Sequence, residues 1–179
     1  MSGHQKLAGF MSILAIVISV FHLSFLTGWV SCGGSRPVPP SQPMSQVTDL
    51  AGVMSPVARL NLAADLQEYE TRTKHQVWVW ISDRALSGVP IEDFSRDTFN
   101  AWGVGRAGYD DGIVLFIFPK GDRLRMRIQV GYGLEKALPD KECVRILREI
   151  AAPKMEFGKY DEGVQATVQA ILAAVDASK

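Results

Sequence analysis

Residues 112 to 118, Gly-Ile-Val-Leu-Phe-Ile-Phe, run for seven positions without a polar side chain. A β-branched and aromatic run with no polar alternation fits a central strand buried on both faces. Just upstream, Asn100-Ala101-Trp102 reads as the end of a helix, which Gly103 and Gly105 stop. Glycine takes the left-handed geometry that a helix C-cap needs. Asp110-Asp111-Gly112 then sets two carboxylates at the mouth of the strand. Adjacent carboxylates repel, so the pair either stays hydrated or recruits a cation. An acidic turn accounts for it as well, since Asp and Gly are common turn residues, and the pair alone favours the turn.

The opposite constraint sits at the N-terminus. From Leu7 to Val30 no residue carries a full charge, apart from a partial charge on His22. That length exceeds the roughly 20 residues that cross a bilayer. It is also longer than the apolar core of about 7–15 residues in a cleaved signal peptide. Trp29 near its far end suits a membrane interface. Residues 1–31 are therefore expected to be an N-terminal transmembrane anchor helix or signal segment. Lys6 against Arg36 keeps the N-terminus in the cytoplasm and puts the rest outside, in a periplasm or on the outer surface. Val30-Ser31-Cys32-Gly33-Gly34 resembles a lipobox, with Trp29 where that motif has Leu. A lipid at Cys32 is the alternative to a retained helix. Residues 32–46, rich in Pro, Gly and Ser, read as a linker that spaces the domain from the membrane.

The folded domain is expected over 47–177. Ser55-Pro56 starts a helix with a hydroxyl cap and a proline at the first helical position. Val57, Leu62, Ala63, Leu66 and Tyr69 recur at helical spacing. A strand follows over 76–83, with Val77, Val79 and Ile81 on one face and Trp78 and Trp80 on the other. Both faces are apolar, so a helix is expected to cover the tryptophans. The next helix, 91–102, leads into the central strand, and a helical crossover makes the two strands parallel. Pro119-Lys120-Gly121-Asp122 turns the chain back into 123–130. There Leu124, Met126, Ile128 and Val130 alternate with arginines that form a solvated edge. Helices are expected over 140–151, broken at Ala151-Ala152-Pro153, and over 160–175 with Val164, Val168, Ile171, Leu172 and Val175 as its apolar stripe.

This order creates two acidic poles. Asp110, Asp111 and, close behind, Asp140 share one edge of the sheet with Gly131-Tyr132-Gly133. Asp83, Asp122 and Asp49 gather at the other. Oxygen ligands without histidine or thiol suit a hard cation, Ca²⁺ or Mg²⁺, over zinc. Beside a Gly-x-Gly loop, the pair favours a metal or polar-ligand site over a plain turn. The composition carries no nucleic-acid footprint, as 19 basic and 19 acidic residues cancel. Two cysteines make no disulfide scaffold, and three scattered histidines make no zinc pattern.

Several segments together resemble the TPM domain family. They are Val47-Thr48-Asp49-Leu50-Ala51-Gly52 before Ser55, Trp102-Gly103-Val104-Gly105, Asp110-Asp111-Gly112, Arg127 through Glu135, Asp140, and Gly158-Lys159-Tyr160-Asp161-Glu162-Gly163. The resemblance implies a three-layer α/β/α sandwich with a small mixed sheet, in extracytoplasmic or lumenal proteins. It also implies divalent-metal binding for some members and acid-phosphatase activity for others. By that resemblance Asp110 and Asp111 are the metal candidates, with Asp140 and Asp49 behind them. Pro139 stands where a threonine is frequent. The expected function is a membrane-tethered, divalent-cation-binding accessory or interaction module for membrane proteins. The alternative is a metal-dependent phosphatase acting on phosphate esters.

Overall fold

The computed structural model describes residues 38–86, 88–121 and 123–178. The expected anchor, the cysteine at position 32 and the start of the linker lie outside the described residues. Among the described residues no helix is long and apolar enough to cross a membrane.

Four strands form one sheet in the order β1 (Val47–Asp49), β2 (Gln76–Ile81), β3 (Gly112–Phe118), β4 (Arg125–Val130). The first three run parallel, with Val47 beside Val79 and Gln76 beside Gly112. β4 runs back against β3, pairing Ile113 with Val130. Between and after the strands come α1 (Pro56–Thr73), α2 (Ile91–Trp102), α3 (Asp140–Ile146), α4 (Ala152–Met155) and α5 (Tyr160–Asp176).

Period-two side chains divide β2 and β3 between two cores. Val77, Val79, Ile81, Ile113, Leu115 and Ile117 face a cluster completed by Leu66 and Tyr69 of α1 and by Val164, Val168 and Ile171 of α5. On the other face Trp80, Val114, Phe116 and Phe118 meet Phe94 and Trp102 of α2. The rings there pack tightly, with Trp80 edge-on to Phe116 at 6.0 Å between centroids and Trp102 stacked on Phe116 at 5.8 Å. Every residue of β3 is buried, as the unbroken apolar run requires. The result is a three-layer α/β/α sandwich, and α2 is the helix expected over the tryptophans.

Three local features depart from the sequence expectation. β1 was not legible as a strand, since three residues give no periodicity. In α1 the stripe is narrower than expected, because Val57 is 68% exposed while Leu66 is fully buried. α1 does start where its sequence says, with Ser55 Oγ accepting from Ala58 N at 3.2 Å. The third departure lies at Pro153. A proline in a helix lacks an N–H, and its ring clashes with the carbonyl four residues back. A break was expected there, but the chain stays helical through a π turn, Leu147–Ala151. Ala152 N–H donates to Leu147 O, five residues back. That wider turn draws the carbonyl layer away from the proline ring, and buried positions step from Ile146 to Ala151.

Leu66→Ala is expected to lower stability by about 2–5 kcal/mol, the usual cost of emptying a leucine site in a core. Val57→Ala should change it by less than about 0.5 kcal/mol, as for an exposed side chain. Denaturant midpoints of the two variants check the assignment, and similar losses would contradict it.

Candidate functional site

The pole at the start of β2 and β3 is built from backbone that comes unusually close. After α2 the chain turns at Gly103, φ 61°, and loops through residues 104–111. Asp110 takes φ 48°, a left-handed conformation that non-glycine residues rarely hold. Gly131 and Gly133, flanking Tyr132, lie directly on this loop. A Cβ at Gly131 would overlap the carbonyl oxygen of Asp110, and one at Gly133 would overlap that of Tyr109. Gly133 N–H donates to Asp110 O at 3.1 Å, and Gly131 N–H donates to Gly112 O at 2.9 Å. The Gly-x-Gly segment is thus a clamp on the acidic loop.

Within the clamp the two aspartates have opposite fates. Asp111 is buried, and its Oδ1 accepts Arg106 N–H at 2.8 Å. Its Oδ2 accepts Arg106 Nε at 2.8 Å and Nη2 at 2.6 Å, with His75 Nδ1 at 3.4 Å. Burial alone would raise its pKa, but these hydrogen bonds and the guanidinium charge together hold the carboxyl below the ordinary range. Asp110 is exposed beside it. Tyr109 is 64% exposed with the Arg106 guanidinium 4.1 Å from its ring centroid, and Tyr132 is 82% exposed.

The remaining candidates lie on other elements. Asp140 is exposed in the first turn of α3, whose cap position holds Pro139 without a side-chain bond. Asp49 ends β1 at the opposite pole, beside Ile81. From Gln76 to Ile81 the strand spans five steps, about 16 Å at strand rise. Both Asp49 oxygens are engaged in the turn before α1, accepting Gly52 N–H at 2.9 Å and Met54 N–H at 2.8 Å. The structure therefore brings Asp110 and Asp111 together and leaves Asp49 distant.

A hard cation fits this donor set poorly. To use both carboxylates it would have to displace Arg106 from Asp111 and face a guanidinium at contact distance. Among the described residues no group of three or more His, Cys, Asp or Glu side chains is placed to hold a metal. The Cys143 thiol is a poor nucleophile: burial, with the charge of Asp140 behind it, pushes it up to about 11.

Sequence reasoning missed Arg106 and His75. The parallel register carried a signal for the histidine, because strands that start together at Gln76 and Gly112 place the residues before them side by side. Arg106 had none beyond its place in the same loop.

Gly133→Ala is expected to cost about 1–3 kcal/mol by overpacking, because the obstructing atom is backbone and cannot rotate away. Tyr132→Ala, altering only an exposed ring, should leave the melting temperature nearly unchanged; equal effects would contradict the clamp. Asp111→Asn should cost about 1–3 kcal/mol at neutral pH, through loss of a charge-assisted buried bond. Because the folded pKa of Asp111 is depressed, its contribution is complete above the unfolded value of about 3.9 and is lost as pH falls through the folded value. The stability gap between wild type and Asp111→Asn should therefore close below about pH 4, as measured by denaturant titration.

Comparison with known proteins agrees with this architecture. The family model described as the TPM domain matches residues 47–174. The solved N-terminal domain of a protein from P. gingivalis is 28% identical, covering 75% of this chain and 83% of that one, with a TM-score of 0.66. The N-terminal domain of the cg2496 protein from Corynebacterium glutamicum shares the fold, at 16% identity over 80% of this chain and 86% of that one, with a TM-score of 0.55. No curated protein matches the chain. With the family model matching residues 47–174, the chain belongs to the TPM domain family.

Proposed function

We propose that this TPM domain is a tethered accessory module that binds a membrane-protein partner through the clamped pole, without catalysis of its own. One observation carries the reading. Tyr109 and Asp110 are exposed on a loop whose backbone is clamped, and Tyr132 is exposed on the clamping segment, while the buried carboxylate of Asp111 is committed to Arg106. A rigid loop presenting tyrosines loses little entropy on association, and aromatic anchors dominate binding energy at protein interfaces. Asp111 is engaged in holding that loop, so near neutral pH it is neither a free nucleophile nor a free base. The charge-free segment 7–30 supports the tether and the extracytoplasmic placement. A divalent cation enters this reading only at Asp110, as a weak ligand with a dissociation constant on the order of 10⁻³ M or above.

A photo-crosslinking residue at position 132 in the full chain, in native membranes, is expected to yield a discrete adduct with a membrane protein. The same group at Lys120, on the β3–β4 turn, is expected to yield none. Adducts of equal pattern from both positions, or none from either, would sink the interaction reading. The phosphatase alternative has its own measurement: turnover of a chromogenic phosphate ester by wild type and Asp111→Asn from matched preparations. Equal rates are expected. A hundredfold loss in the variant, with its fold intact, would make Asp111 part of a catalytic site.

A further inference from the structure

The proline-rich segment expected to be a free spacer is, in its described part, seated on the domain. Trp102 Nε1 donates to Pro40 O at 2.8 Å, across 62 residues of sequence. Trp102 belongs to the aromatic cluster on the α2 face, 6.1 Å from both Trp78 and Trp80 between ring centroids. Pro40, Ser41, Gln42 and Pro43 make a Pro-x-x-Pro sequence. Pro40 and Pro43 are half-buried, whereas Ser41 and Gln42 are exposed. A polyproline helix has three residues per turn, so positions i and i+3 share a face. The prolines turn to the protein and the polar pair between them to solvent.

That combination is the chemistry of proline-rich recognition. In such recognition an aromatic surface faces the rings, an indole N–H donates to a backbone carbonyl, and the stiff ligand loses little entropy on binding. Here the indole bond from Trp102 to Pro40 O is formed, and Pro40 and Trp80 line one cavity. Nor does the strap fill its groove. A cavity of about 480 Å³ lies alongside it, lined by Val38, Pro40, Trp80, Leu86, Phe94 and Phe118. Ordinary core packing explains Trp80 and Phe94 but not a carbonyl acceptor supplied by a linker.

We propose that the aromatic groove on the α2 face is a proline-recognition site, filled by the chain's own Pro40–Pro43 and open to a proline-rich peptide from a partner when that strap is withdrawn. The local strap competes at the high effective concentration of a short tether, on the order of millimolar, so a partner engages only when it outcompetes or displaces the strap. This proposal does not rest on the partner role of the clamped pole, and its failure leaves that role untouched.

The test uses the full chain in detergent and a synthetic peptide of residues 36–46, with tryptophan fluorescence as readout. Replacing Pro39, Pro40 and Pro43 by glycine in the protein should release the strap and strengthen peptide binding at least tenfold over wild type. Adding Trp102→Phe, which keeps a ring but removes the indole N–H, should weaken that binding at least tenfold. A peptide with alanine for each proline should bind at least tenfold more weakly than the parent. Melting curves establish that each variant is folded, and Ser41→Ala, at an exposed position, should behave as wild type. Equal peptide affinity in wild type and strap variant, no saturation by either, or unchanged affinity with Trp102→Phe or the alanine peptide would each overturn the proposal. Should the glycine variant not fold, hydrogen exchange of residues 38–46 in Trp102→Phe alone decides. Faster exchange than wild type is expected, and unchanged exchange overturns it.

Discussion

Asp111 holds three parts of the chain at once. Its carboxylate takes the backbone and guanidinium N–H groups of Arg106, its carbonyl oxygen accepts Gln76 N–H at 3.3 Å, and its ring partner His75 ends the turn after α1. Gln76 in turn accepts Gly105 N–H at 2.7 Å through its side chain. The loop after α2, the start of β2 and the start of β3 are joined through these two residues. A buried carboxylate is tolerable only when its lone pairs are filled by donors, at least one of them charged. Arg106 supplies that charge and reaches solvent over Tyr109, so the pole is buried beneath and charged above. The glycine clamp depends on the same knot, since Gly131 and Gly133 need the carbonyls of residues 109 and 110 held still.

This arrangement changes the meaning of an acidic pair. Two aspartates in sequence invite a symmetric picture in which both point outward and share a ligand. In the fold they are nearest neighbours with opposite surroundings, one sealed under a guanidinium and one in a left-handed, exposed turn. The buried member ties the loop to the sheet, and the exposed member is, in the function proposed above, part of what a partner would meet. Asp49 shows the same economy at the other pole, its oxygens closing the turn into α1.

The parts legible in the sequence are those where hydrophobic pattern and chain order suffice. The uninterrupted run of β3, the alternation in β4, the two-faced β2 and the stripe of α5 each imply their own burial, and the crossover rule makes β2 and β3 parallel. From that order the separation of Asp49 from Asp110 and Asp111 also follows. What was not legible depends on contacts between distant segments. β1 exists because β2 offers an edge, not because Val47-Thr48-Asp49 shows a period. The commitment of Asp111 needs Arg106 folded back, and the seating of Pro40 needs Trp102, 62 residues away. Composition makes a proline-rich stretch a spacer by default; only the bond from Trp102 shows it seated on the domain.

The π turn ahead of Pro153 gives this helix the character of a screw with one slipped thread. Buried positions advance by three from Cys143 to Ile146, by five to Ala151 and by four to Met155, so the slip falls between two segments that are each in phase with the core. A turn of this kind amounts to one extra residue in an otherwise α-helical path. The segment 147–151 is thereby a place where chain length and core register are decoupled. A sequence one residue shorter there retains the apolar phase on both sides and trades only the wide turn, together with the room that turn makes for the proline ring. The rigid pole and the malleable helix thus sit in the same small domain, one fixing what is presented and the other absorbing variation in the chain that carries it.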